Sequence, residues 1–141
     1  MITVNLNQLD LTEFIAKGNP GQRCKSTFPL LGAHGTKDSA TVYFEIDPGE
    51  ELGTHTDSAE EILLILEGSA EASVGEEKAE ASQGALIVVP KMAPHNIRNT
   101  GDTPVKVLGF FGGANNIVAT FENTWWPVET NQVDTAAMTR G

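Results

Sequence analysis

Basic residues are scarce: 9 Lys and Arg stand against 19 Asp and Glu in 141 residues, a formal net charge of −10. Such a chain repels nucleic-acid phosphates and anionic membrane surfaces and has no basic patch, so neither is an expected partner. The acidic residues are dispersed rather than run together, and solubility is their plainest role. Cysteine is nearly absent. With Cys24 alone there is no internal disulfide and no thiolate metal cluster; a small buried hydrophobe is the expected role, and nothing calls for an oxidising compartment. No segment approaches the ~20 apolar residues that cross a bilayer, and the start, MITVNLNQLDLTEF, has neither the cationic nor the apolar part of a leader. The expectation is a soluble, cytoplasmic protein. A P-loop, a dinucleotide fingerprint and a G-x-S-x-G elbow are missing too, which leaves nucleophilic catalysis by Cys24 or a serine without support.

What the chain does have is short apolar runs cut by turn chemistry. Its 40% hydrophobic content suits one core, so residues 1–141 are expected to form a single domain. Ile2 to Leu6 suggests a first strand, and Asp10 with Glu13 reads as a capping box opening one short helix that Gly18-Asn19-Pro20-Gly21 stops. From there the period is two. ATVYFEI (40–46) leads to Asp47-Pro48-Gly49, a turn in which proline presets the first central position. Ser69 to Val74 alternates strictly and turns at Gly75-Glu76-Glu77; runs follow at 78–81, 85–89, 95–99 and 105–111. Ile62 to Leu66 is apolar on both faces, which suits a strand inside a double-sheet core. A spacing of about ten residues between runs, with no internal sequence repeat, indicates an antiparallel all-β sandwich or barrel. After Trp125-Trp126-Pro127 the chain turns polar, and Val133 to Gly141 reads as a tail or an arm reaching a partner subunit.

The chemistry concentrates in GEELGTHTDSAEEILLILEG (49–68). His55 and Asp57, two apart on an extended strand, share a face, as two ligands of one ion must. Glu60 and Glu61 face opposite ways, and parity does not choose between them because Asp57-Ser58-Ala59 can turn or bulge. His95 opens another strand forty residues on. His34, between Gly32 and Gly35, reads as a loop residue. Phe44, Ile97, Val107 and Phe111 fall on interior positions, as core or as cavity lining, and the tryptophan pair can close a barrel end or anchor a dimer.

These residues resemble the cupins, small double-stranded β-helix (jelly-roll) barrels with a metal in the mouth. Gly49, His55, Glu61 and Gly68 fall on the first family motif, with Asp57 where the family has a second histidine. Gly84, Pro90, His95 and Asn99 fall on the second, with Met92 where the family has glycine. The resemblance places the barrel at about 39–112, flanked by an N-terminal segment 1–38 with its short helix and a C-terminal extension 113–141. It implies a homodimer and chooses Glu61 as the inward carboxylate, giving His55, Asp57, Glu61 and His95 as ligands of one divalent metal: iron first, then Mn, Ni, Co or Zn.

The aspartate matters physically. His55, Asp57 and His95 reproduce the two-histidine, one-carboxylate triad that leaves open positions on non-haem iron. Glu61 is then either a fourth ligand, neutralising the ion, or an uncoordinated general base. Against a ligand role for Asp57 stands a structural one, capping the turn through Ser58 and Ala59. The leading expectation is a dioxygenase-type enzyme acting on a small organic molecule; the alternatives are a metal-dependent isomerase or lyase, and a non-catalytic binding or storage barrel.

Overall fold

A computed structural model describes residues 1–138. Its elements are strands β1 (Thr12–Ala16), β2 (Arg23–Thr27), β3 (Ser39–Ile46), β4 (His55–Asp57), β5 (Glu61–Glu67), β6 (Ser69–Val74), β7 (Glu77–Ser82), β8 (Leu86–Val89), β9 (His95–Asn99), β10 (Val105–Gly112), β11 (Val118–Trp126) and β12 (Thr130–Asp134), then a short helix α1 (Thr135–Met138). All the strand pairs are antiparallel. They form one 12-stranded sheet in the order β7-β6-β9-β4-β11-β1-β2-β3-β10-β5-β8, with β12 alongside β11. The all-β antiparallel expectation therefore holds, and no described helix is long and apolar enough to cross a membrane.

The N-terminal expectations need correcting. The helix expected between Asp10 and Gly18 is strand β1; the only helical turn nearby is a 3-10 turn, Leu6–Gln8, capped by Asn5 Oδ1 accepting from Asn7 N at 2.8 Å. Ile2 to Leu6 forms no strand. Capping chemistry is a local preference worth about 1 kcal/mol, whereas β1 gains a ladder on each side, to β2 and to β11. Gly18 to Gly21 instead closes a hairpin, with Asn19 N donating to Ala16 O and Gln22 N to Asn19 O. The polar C-terminus also carries structure: β12 pairs with β11, Val133 packs against a core cluster and Thr135 is fully buried. Residues 139–141 of the expected tail lie outside the described ones.

The core is built from alternate residues of facing strands. Ile46, Ile65, Ile97, Val105 and Val107 are at most 1% exposed and sit in one cluster with Phe44, Leu63 and Val89. Each such side chain contributes about 1.5–3 kcal/mol on burial. Leu31, Ala40, Phe111, Ile117 and Ala119 form a second cluster nearer the chain ends. The run Ile62 to Leu66, expected to be buried on both faces, is buried on one: Leu63 and Ile65 point in, while Ile62 is exposed and Leu64 and Leu66 half-buried.

Two motif residues have structural duties. Gly68 has φ 86°, and a Cβ there would lie 2.8 Å from Pro104 O and 3.0 Å from Val105 Cα, so the β5–β6 corner has no room for a side chain. Buried Asn99 donates from Nδ2 to Ile46 O and Thr103 O, both at 2.8 Å, and accepts from Gly101 N at 2.8 Å, which ties the turn after β9 to the end of β3.

Candidate metal centre

β4 is three residues long and lies between β9 and β11. Its ladder sets His55 directly opposite His95, and directly paired residues point to the same face of a sheet. The ring centroids are 4.0 Å apart. Asp57, two residues along, points the same way. Glu61 starts β5, which is not a neighbour of β4 in the sheet, and so reaches the others across the barrel. All four side chains are buried. Glu60 is exposed, as expected of the outward member of the pair.

The two imidazoles are held alike. His55 Nδ1 lies 2.8 Å from Gly53 O and His95 Nδ1 lies 2.9 Å from Ala93 O. A carbonyl only accepts, so each Nδ1 carries a hydrogen, and in the neutral, metal-binding form of each ring Nε2 keeps its lone pair. Phe121 of β11 stacks on the His55 ring, centroids 4.5 Å apart and planes 14° apart. Met92 N donates to Asp57 O at 2.9 Å, fixing the main chain there, and Ser58 N and Oγ both bond to Val118.

His95 Nε2 stands 3.0 Å from Asp57 Oδ2 and 3.5 Å from Glu61 Oε1, and His55 Nε2 stands 3.9 Å from Asp57 Oδ2. His95 Nε2 and Asp57 Oδ2 stand at ion-pair distance without forming an aligned hydrogen bond, and neither buried atom has a hydrogen-bond partner among the described residues. Asp57 Oδ2 thus turns to the histidines, not to the N–H groups of the Ser58-Ala59 turn. One donor atom each from His55, Asp57 and His95 lies within 4.8 Å of the others. Two lone-pair nitrogens and a carboxylate oxygen suit a divalent transition metal, and their backbone-held Nδ1–H groups are the usual outer support of such ligands. Glu61 is adjacent but outside that three-residue group.

Charge in the site is unevenly held. Burial pushes the His55 imidazole down to about 4, with His95 acting the same way and Asp57 only partly opposing. Burial also acts to lower His95, yet the oxygens of Asp57 and Glu61 beside it outweigh that and raise it to about 10. Burial raises Glu61 to about 7, with His95 opposing and Asp57 adding to the rise.

Around these groups lies a cavity that opens to solvent. Phe44, Ile97, Val107 and Phe111 all sit in the core clusters, the default role expected of them, and Phe44, Ile97 and Phe111 line the cavity as well. Trp125 lines it as well, whereas Trp126 is half-exposed. His34 lies away from it in a 3-10 turn, where its Nδ1 accepts from Leu31 N. Sequence reasoning missed Phe121 and Gly109. A Cβ on Gly109, in β10, would lie 2.4 Å from Glu61 Oε2 and 2.8 Å from Val42 Cγ1, so the bare glycine gives the carboxylate its space. The alternation of Ala119 and Phe121 in β11 is the signal that pointed to the ring; nothing in the sequence marks Gly109.

Residues 42–111 match the profile of the cupin domain family. An uncharacterized protein of Methanocaldococcus jannaschii is 41% identical over 51 residues, 36% of this chain and 41% of that protein, so the match spans less than half of the relative's length. Among solved structures, a protein proposed to be a sugar phosphate isomerase from Acidithiobacillus ferrooxidans superposes with a TM-score of 0.66 at 18% identity, over 96% of this chain and 93% of that one. A protein predicted to be an oxalate decarboxylase from Thermotoga maritima gives 0.67 at 20%, over 78% and 97%. At these identities the likeness concerns the fold. Profile, fold and the two motif blocks agree: residues 42–111 of the chain form a cupin domain.

Proposed function

We propose that the protein is a metal-dependent enzyme of dioxygenase type, acting on a small organic molecule, in which His55, Asp57 and His95 hold a divalent ion. Iron is the first candidate, ahead of Mn, Ni, Co and Zn. The observation that carries this reading is the buried convergence of one donor atom each from His55, Asp57 and His95, all within 4.8 Å of one another. When bound, such an ion supplies Lewis acidity and open positions for oxygen and substrate. The chain's own residues do the rest. Gly53 O and Ala93 O orient the imidazoles, the apolar walls exclude water, and Glu61 takes or gives a proton near neutral pH. Glu61 as a fourth ligand would instead neutralise the ion and tie up that proton.

Glu61 also favours a second reading, an isomerase or lyase in which the same carboxyl moves a proton without oxygen being consumed. The names of the two structural neighbours point to oxalate and sugar phosphates. Both are anions, and no Lys or Arg among the described residues lines this cavity, so those substrates are not carried over. The test is elemental analysis of protein purified without chelator, then anaerobic loading with Fe(II) and exposure to nitric oxide as an oxygen surrogate. A new paramagnetic signal from one iron per chain supports the dioxygenase reading. Metal without oxygen consumption on turnover favours the isomerase, and no metal uptake leaves a binding barrel.

The proposed setting is the cytoplasm, where ferrous iron and the lone Cys24 thiol both stay reduced. Residues 1–141 are proposed to act as one unit, since β1, β2 and β11 are threaded into the sheet of the cupin domain. The proposed homodimer would form on the outer face of β8, β5 and β10. Exposed Val88 and Phe110 flank exposed Ile62 there by register, and exposed Leu86 lies beside Leu64. β8 ends the sheet, so a two-fold mate can meet the same face and edge.

A further inference from the structure

The cavity carries a message about its occupant. Five of the six phenylalanines of the chain, Phe14, Phe28, Phe44, Phe111 and Phe121, line it together with Trp125. The remaining lining is aliphatic apart from the four site residues, Ser26 and Cys24. Ser26 donates its hydroxyl to Tyr43 O at 3.0 Å, and burial keeps the Cys24 thiol protonated. Among the described residues no guanidinium or ammonium lines its walls, and the acidic side chains Asp57 and Glu61 stand in it, so beyond the two imidazoles and a bound ion the lining offers an anion nothing. One donor is left over. Trp125 is 2% exposed, and its indole Nε1–H is buried without an acceptor among the described residues. A buried donor left unmet is costly, and a ligand that supplies the acceptor recovers that cost on binding. From His55 the rings run continuously to the Trp125 indole: Phe121 stacks on the imidazole and meets Trp125 edge-on, centroids 5.2 Å apart at 72°. A flat ring fits such walls better than a branched polar chain does.

Resting on the metal-enzyme reading above, we propose that the substrate is a small neutral aromatic molecule, seated among the phenylalanines and presenting one hydrogen-bond acceptor to Trp125 Nε1–H. Three one-ring probes separate the contributions: acetophenone (neutral, with an acceptor), ethylbenzene (neutral, without one) and benzoate (anionic). They are titrated into Zn(II)-loaded protein, which is diamagnetic, while the two indole N–H resonances are followed by NMR. Acetophenone is expected to bind about tenfold more tightly than ethylbenzene and to shift the Trp125 indole signal but not that of Trp126. In Trp125→Phe the acetophenone advantage should disappear while ethylbenzene binding stays within about twofold. Benzoate binding tighter than acetophenone, or an unmoved Trp125 signal at saturation, overturns the proposal. If Trp125→Phe does not fold, the wild-type ratio and the indole shift decide alone. Repeating the titration without metal tells the two readings apart: protein that refuses Zn(II) yet binds acetophenone in this way sinks the metal-enzyme reading and leaves the substrate class standing.

Discussion

Glu61 and Gly109 form a lock in which the side chain of one occupies the space that the other lacks. Gly109→Ala should destabilise the protein by about 1–3 kcal/mol, because its Cβ overlaps the carboxylate and the Val42 methyl. Adding Glu61→Ala should recover part of that loss, and a double-mutant cycle in urea would read the coupling. Cys24 gives a second residue-scale expectation. Burial pushes its thiol up to about 12, so native protein should resist alkylation at pH 8 and react once unfolded. The folded thiol keeps its proton where an unfolded one, near 8.5, has lost it. Stability should therefore fall between about pH 8.5 and 12, by at most about 1.4 kcal/mol per pH unit, and Cys24→Ala should flatten that slope in denaturant titrations across the range. The candidate ligands were legible because their spacing is covalent: a single residue, Thr56, separates His55 from Asp57 whatever the fold. Met92, where the family carries glycine, has φ 64°, so the left-handed backbone persists although the residue that favours it is gone.

At the scale of elements, β9 carries His95 at one end and Asn99 at the other, and Asn99 anchors the strand to β3 and to the following turn. Asn99→Ala should cost about 1–3 kcal/mol by leaving Ile46 O and Thr103 O short of a donor, which thermal unfolding would show as a fall of several degrees. The middle strands were readable from alternation: 40–46, 69–74, 95–99 and 105–111 each appear within a residue of the expected bounds. The ends were not. Asp10 and Glu13 obey a helix-start rule, but Phe14 and Ala16 face inward only as a strand, and partners far along the chain decided the matter. β12 was missed because Thr130 to Gln132 show no apolar alternation; hydrogen bonding to β11 rather than burial holds them.

For the whole molecule, the expectation to check is association. Leu86→Glu with Val88→Glu places two charges on the exposed face of β8 and should convert the proposed dimer to monomer in sedimentation equilibrium, with folding intact because neither side chain is in the core. Wild-type protein that sediments as a monomer at tens of micromolar ends that proposal. The convergence of His55 and His95 was the most legible global feature, since both motif blocks had to meet for either to have a purpose. The cavity was less legible: its aromatic wall is gathered from β1, β3, β10, β11 and the segment after β2, and no single stretch displays it.

Both imidazoles are steered by the peptide group two positions upstream, Gly53 for one and Ala93 for the other. The aim of each nitrogen is thus written into a tripeptide and owes nothing to the opposite wall. On the proposed function, rewriting the phenylalanines one by one would change which molecules are welcomed while the grip on the proposed cation persisted, so a scaffold of this kind can change its diet without relearning how to hold its tool.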